Sequence, residues 1–165
     1  MEPMSCCFTG HRAEKLPWRY DEQDPRCLVL KKAIYDCIEA LYESGCRLYL
    51  CGMAEGCDLY FCEAVLALRA EHPDVRLEAA VPFPGQAERW PREAREQYAH
   101  LLSECDEITV LSEEYSPDCM MKRNRYMVDH SDIVLACYDG KSGGTHNTLR
   151  YALKKHRRIL HLSPE

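Results

Sequence analysis

Short apolar runs alternate with stretches of helical periodicity along this chain, and that alternation constrains the fold more than any other feature. The clearest unit is the run Asp132-Ile-Val-Leu-Ala-Cys-Tyr138, the turn Lys141-Ser-Gly-Gly-Thr-His-Asn-Thr148 and the helical pattern Leu149-Arg-Tyr-Ala-Leu-Lys-Lys-His156. The same reading predicts strands at 5–8, 47–51, 76–81, 107–111, 132–138 and 159–162. Helices are expected at 25–44, 57–70, 91–103, 117–130 and 145–156. In the first helix Leu30, Ala33, Ile34, Cys37, Ile38 and Leu41 recur at helical spacing, with Pro25 suited to its first turn and Gly45 to its stop. Strands joined through helices pair in parallel, and a parallel sheet is covered by helices on both faces. The 47–51 and 132–138 runs are almost continuously apolar, as strands buried on both faces are. The expected fold is an α/β, doubly wound, mainly parallel sheet of about six strands with helices on both faces, in one domain over 1–165.

Composition narrows the setting. No apolar run approaches the roughly 20 residues of a membrane span. The start, Met1-Glu-Pro-Met-Ser, lacks the basic-then-apolar pattern of a secretion signal. The 11 cysteines are odd in number and sit mostly inside apolar runs, with Cys6, Cys51 and Cys137 in expected strands and Cys37 on a helix face. They read as small hydrophobes rather than a disulfide framework, and a reducing, cytoplasmic location is expected. The net charge of −6, from 21 basic and 27 acidic residues, argues against nucleic acid as a general partner. Lys154-Lys-His-Arg-Arg158 reads as cations at a helix C-terminus, and Lys122-Arg-Asn-Arg125 as a solvated helix face. Cys57 and Cys62 are five apart with no histidine pair near them, so no metal is expected.

In a parallel sheet the loops after the strands form the ligand crevice. The first such loop is Phe8-Thr-Gly-His-Arg12. Gly10 permits close backbone approach, Thr9 offers a hydroxyl and Arg12 suits a phosphate in bidentate fashion. His11 reads as an acid–base group or as a hydrogen-bond donor. The second loop is Cys51-Gly-Met-Ala-Glu-Gly-Cys-Asp58, where Gly52 and Gly56 precede a helix. Asp58 caps that helix or accepts from a ribose hydroxyl, and Glu55 does the same or acts as a base. In the loop after the fifth strand, Gly143 and Gly144 let the backbone approach an anion at a helix N-terminus, where free N–H groups and the dipole favour phosphate. Thr145 is expected as the N-cap with Thr148 one turn on, and Asp139 as a ribose or metal ligand or a turn former with Gly140. Phe83, in the stiff loop Val81-Pro-Phe-Pro-Gly-Gln86, and Tyr115 either stack on a base or pack. Gly-x-Gly-x-x-Gly, Walker lysine and Gly-x-Ser-x-Gly motifs are absent.

Taken in order, Thr9-Gly-His-Arg12, Gly52-Met-Ala-Glu-Gly-Cys-Asp58, Pro82-Phe83-Pro84, Met127-Val-Asp-His-Ser-Asp132 and Gly143-Gly-Thr145 resemble the SLOG superfamily. This is the Rossmann-like group that includes the DprA-type and LOG-type proteins, and the chain looks most like its YpsA/YoqJ-like branch of small bacterial and phage proteins. The resemblance implies a Rossmann-like fold and a pocket for a nucleotide or nucleotide derivative. LOG-type enzymes cleave nucleoside monophosphates to base and ribose phosphate, and the last third of this chain is similar to them. Arg123, four residues before Met127, matches their arginine, and Gly144-Thr145 matches their Gly-Thr pair. Their catalytic glutamate falls at Thr148, and a hydroxyl cannot replace a carboxylate in activating water or stabilising an oxocarbenium-like centre.

Three functions stand as expectations. The first is a nucleotide-type ligand, bound by a sensor or by an enzyme of unspecified reaction, with no separate cofactor. Its phosphate would rest on Gly143, Gly144 and Thr145 with help from Gly10 and Arg12, and its base or ribose against the 52–58 loop. The second is N-glycosidase chemistry on a nucleoside monophosphate, with Glu55 or His11 as acid–base group and Arg123 holding phosphate. The third is a DNA-associated module of the DprA type. Relatives of this fold often pair, which makes a homodimer a candidate state.

Overall fold

The computed structural model describes residues 4–140 and 143–164, so Lys141 and Ser142 of the glycine-bearing turn lie outside the described residues. Six strands form one sheet: β1 (Met4–Gly10), β2 (Cys46–Cys51), β3 (Arg76–Val81), β4 (Glu107–Val110), β5 (Ile133–Cys137) and β6 (Arg158–Leu162). Their order is β4-β3-β2-β1-β5-β6, and every neighbouring pair is parallel. Five α-helices connect them: α1 (Pro25–Glu43), α2 (Cys57–Glu71), α3 (Arg92–Glu104), α4 (Cys119–Asp129) and α5 (Gly144–Lys154). This is the doubly wound, Rossmann-like α/β fold that the sequence predicts. One addition is a single 3-10 turn, Ala13–Lys15, between β1 and α1. The start of α1 is set as its sequence demands: Pro25 opens the helix and the Asp24 carboxylate accepts from the Arg26 N–H at 2.9 Å.

Each strand feeds two cores, because successive side chains point to opposite faces. On one face Phe8, Tyr49, Leu77 and Leu135 pack against Ile34 and Ile38 of α1, Phe61 and Leu68 of α2 and Leu101 of α3. Phe8 stacks on Phe61 with ring centroids 4.8 Å apart. On the other face Cys7, Leu50, Ala80, Val134 and Ala136 meet Met127 and Val128 of α4 and Leu149 and Ala152 of α5. Two-sided burial is why these strands read as unbroken apolar runs. Cys6, Cys51 and Cys137 are buried within them, and all 11 cysteines are free thiols. Among the described residues, no helix is long and apolar enough to cross a membrane.

The strand order positions the site. The chain starts at the centre with β1, winds outward through β2 and β3 to the edge at β4, then returns to lay β5 on the other side of β1. The loops after β1 and β5 therefore leave adjacent strands toward opposite faces, and a crevice opens between them.

Replacing Phe61 with alanine removes the ring that bridges β1 and α2. The expected cost is about 3–5 kcal/mol in urea unfolding, with little change in the denaturant slope; a loss under about 1 kcal/mol would show that this layer is not the main core.

Candidate functional site

At this switch point a crevice of about 90 Å³ is walled by Gly10, His11, Arg12 and Lys15 on the β1 side and by Gly143, Gly144, Thr145 and His146 on the α5 side. Backbone bonds hold the first wall in place. The His11 N–H donates to the Cys137 carbonyl at 3.2 Å, and the Cys57 N–H donates to the His11 carbonyl at 3.1 Å. The Thr9 hydroxyl donates to the Thr145 hydroxyl at 3.3 Å and ties the end of β1 to the first turn of α5.

The second wall is the start of a helix. Gly143, not Thr145 as expected, is the N-cap of α5, and as a glycine it has no side chain to cap with. The reason is local: Gly143 takes φ +149°, which starts the helix two residues early and places Thr145 inside it. The first-turn N–H groups have no intrahelical acceptors, and among the described residues a Cβ added at Gly144 would meet nothing within 4 Å. Two cations face this end. Lys15 Nζ lies 3.1 Å from where a Cβ of Gly143 would sit, and Arg12 lines the same space. Among the described residues neither forms an ion pair with a carboxylate. His11 is buried against Asp139, whose N–H donates to Nε2 at 3.1 Å and whose Oδ1 lies 3.2 Å from the same nitrogen. Nε2 accepts the first contact when it carries no proton and donates in the second when it does, so the proton on that nitrogen decides which bond forms.

Several expected site residues are enclosed by protein instead. The Thr148 hydroxyl donates to the Gly144 carbonyl at 2.9 Å, one turn back in its own helix, and is not presented to an anion. Asp58 is not the cap of α2, whose N-cap is Gly56; it is buried, and its carboxylate accepts from the Ala54 N–H at 3.1 Å. Gly56, at φ +89°, lies so close to the β1 loop that a Cβ would sit 2.5 Å from the Ala13 nitrogen. Gly52 leaves room for Arg123, since a Cβ there would be 2.7 Å from Nη1. The 52–58 loop thus supplies packing more than an open wall. Glu55 alone is half-exposed in it, and it opens onto a separate cavity of about 170 Å³, where it accepts from the Tyr20 hydroxyl at 2.7 Å.

Arg123 corrects the solvated-face reading of 122–125: it is 4% exposed. Its Nη1 donates to the Gly52 carbonyl, its Nε donates to Asn124 Oδ1 at 2.7 Å and its Nη2 lies 3.9 Å from Met120 Sδ. A buried charge needs an opposite one, and Asp58 supplies it. Burial pushes the Asp58 carboxyl up from 3.8 to about 6, while Arg123 and Arg12 pull it back. Arg12 Nη2 also lies 3.9 Å from the Met120 sulfur, so two guanidiniums share the neighbourhood of one buried carboxylate. The surplus is positive and lies beside the crevice. Lys15 and His146 were not singled out from the sequence. The signal for Lys15 is its three-residue spacing from Arg12, which the 3-10 turn converts to one side, its N–H donating to the Arg12 carbonyl at 3.0 Å.

A doubly wound, all-parallel sheet with a glycine-walled crevice at its switch point defines a Rossmann-like α/β protein. The YpsA family model (YspA SLOG family) matches residues 6–161, and the chain belongs to that family. It is 36% identical over 146 residues to the SPbeta prophage-derived protein YoqJ of Bacillus subtilis (strain 168), covering 80% of this chain and 85% of that one. It is 29% identical over 150 residues to a UPF0398 protein of Bacillus thuringiensis (strain Al Hakam), covering 89% and 80%. Among solved structures, DNA processing protein A of Helicobacter pylori, described for its single-stranded DNA binding mode, is similar with a TM-score of 0.63 at 17% identity. DNA processing protein A of Streptococcus pneumoniae gives 0.63 at 15%. The matches cover 96% of this chain but 65% and 50% of those two proteins, and at such identity the likeness is one of fold.

Two outcomes test the buried pair. Arg123→Met strands Asp58 without its counter-charge and should cost about 3–5 kcal/mol in chemical unfolding; a near-neutral effect would mean that the guanidinium is dispensable to the fold. Because the folded state holds the Asp58 proton more tightly than the unfolded chain, its contribution to stability falls as pH rises from about 4 to about 6 and is flat above. The stability of wild type relative to Asp58→Asn should therefore drop by on the order of 2–3 kcal/mol across that window, and a rise instead would overturn the assignment.

Proposed function

We propose that this protein binds a nucleotide or nucleotide-derived ligand through its phosphate at the β1/β5 crevice. One observation carries the reading: Arg12 and Lys15, without carboxylate partners among the described residues, converge with the glycine-walled start of α5. Backbone N–H groups, the helix dipole and two cations at one point form a strong anion site. Thr145 still has a hydroxyl proton to give, since it is the acceptor in its bond with Thr9. The setting we propose is a reducing cytoplasm, in keeping with 11 free thiols. The N-glycosidase reading draws less support. Thr148 donates to Gly144, Arg123 to Gly52, and Glu55 faces another cavity, which leaves His11, of the groups that reading named, lining the crevice without a carboxylate at the Thr148 position.

A second reading is single-stranded DNA held by its phosphates at the same place. The single-stranded DNA binding mode of the Helicobacter pylori neighbour favours it, and the expectation against nucleic acid finds no support in that comparison. The acidic net charge does not oppose it where the local field is positive.

The test is thermal stability against inorganic phosphate, nucleoside mono-, di- and triphosphates, ADP-ribose, NAD and short DNA strands. A ligand at about 100 times its Kd should add roughly 2.7 kcal/mol. Gly144→Asp has space for its side chain and sets a carboxylate in the crevice, so it should abolish the shift while the fold persists. Arg12→Ala should weaken binding about tenfold or more. DNA would announce itself by an affinity that falls steeply with salt. A library without a single phosphate-bearing hit, or hits that survive Gly144→Asp, would sink the proposal.

A further inference from the structure

A second cavity, of about 480 Å³, lies between the loops that follow β3 and β4. Phe83, Trp90 and Tyr115 form its aromatic walls, and Gln86 lines it as well. Phe83 meets Tyr115 edge to face at 5.5 Å, and Tyr98 braces Trp90 in the same way at 5.2 Å. Tyr115 is 64% exposed beside two half-buried rings. Gln86, by contrast, is 7% exposed. Its Nε2 donates to the Gly52 carbonyl at 3.2 Å, which fixes the amide, because the flipped form would set two oxygens against each other. That leaves Oε1 buried with no hydrogen-bond partner among the described residues. Gln86 lines the cavity, and an acceptor buried without a partner is costly unless something comes to pair with it.

We propose that this cavity binds a nucleobase: a flat ring against Phe83, Trp90 and Tyr115, with one N–H donating to Gln86 Oε1. Size supports it. Small-molecule sites run to roughly 300–1,000 Å³, which the cavity matches, whereas the crevice of about 90 Å³ has room for little beyond a phosphate. Chemistry supports it too. Aromatic platforms take the π-face of any base, every common base carries an N–H donor, and an aliphatic side chain would leave the Gln86 oxygen unpaired. Position adds a third argument, since both sites lie at the carboxyl ends of the strands, and the Gly52 carbonyl joins Gln86 to the Arg123 cluster beside the crevice. If one ligand spans both sites, its phosphate end rests on the crevice reading above, and its ring end on the cavity alone. The base comes from a free nucleoside or nucleotide, or from a single strand.

Trp90 is a built-in reporter, because a base stacked on indole quenches its fluorescence. Trp18 is buried and donates to the Tyr60 hydroxyl, so it gives a steady background. The protein is titrated with the four ribonucleosides, their 5′-monophosphates and short homopolymer DNA strands. The expected result is saturable quenching, weakened about tenfold or more in Tyr115→Ala, whose surface position leaves the fold intact. Gln86→Met keeps the aromatic walls and should weaken it as well. Quenching by nucleosides assigns the site to free bases; quenching by strands alone, lost in Tyr115→Ala, assigns it to a single strand. Nucleosides carry no phosphate, so their quenching should survive Gly144→Asp, and inorganic phosphate probes the crevice without the cavity. No quenching by any of these ligands, or quenching that is unchanged in both Tyr115→Ala and Phe83→Ala, overturns the proposal.

Discussion

Arg123 reaches from α4 to the carbonyl of Gly52 at the end of β2, and the placement of three loops follows from that bond. The guanidinium is fully enclosed, so its charge has to be answered inside the protein, and Asp58 answers it from the first turn of α2. Asp58 in turn holds the Ala54 N–H and shapes the 52–58 loop. The same carbonyl of Gly52 takes the amide of Gln86 and so fixes the loop after β3. Gly56, at the far end of the 52–58 loop, presses on the backbone of residues 11–13, and the Cys57 N–H holds the His11 carbonyl. A contact made by one helix on one face of the sheet thereby sets the β1 loop that walls the crevice.

The electrostatics follow from the same arrangement. The chain carries a net charge of −6, yet the edge of the sheet where β1 and β5 end is locally positive. Arg12, Lys15 and the start of α5 contribute positive charge there, set against the Asp139 carboxylate beside His11 and the buried Asp58, whose carboxyl burial pushes up to about 6. Net charge is a property of the whole chain and does not describe the field at one edge of the sheet.

The order of strands and helices was legible because it is a matter of periodicity. Apolar residues recur in α1 at helical spacing, and β2 and β5 are unbroken apolar runs because both of their faces are covered. The loops of the crevice were legible as well: Gly10, Arg12, Gly143, Gly144 and Thr145 do come together. Arg123 was not. It stands among Lys122, Asn124 and Arg125 and reads as part of a wet face, and its burial depends on a missing Cβ at Gly52, 71 residues away. Thr148 was misjudged for a smaller reason. One turn into a helix, a threonine hydroxyl reaches the carbonyl four residues back more easily than it reaches a ligand.

By itself the sequence determined the α/β class, the parallel pairing and which loops gather at the carboxyl edge. Those follow from local spacing and from the rule that a strand returning through a helix lies parallel to its predecessor. Only the tertiary structure decided which of the polar residues in those loops face the crevice and which hold the loops together. Among the described residues Arg12 and Lys15 are left without carboxylate partners, Arg123 and Asp58 are buried as counter-charges, and Gln86 lines a cavity with one oxygen unpaired. The physical reason is that burial and charge compensation depend on side chains far apart in sequence, and no local pattern encodes them.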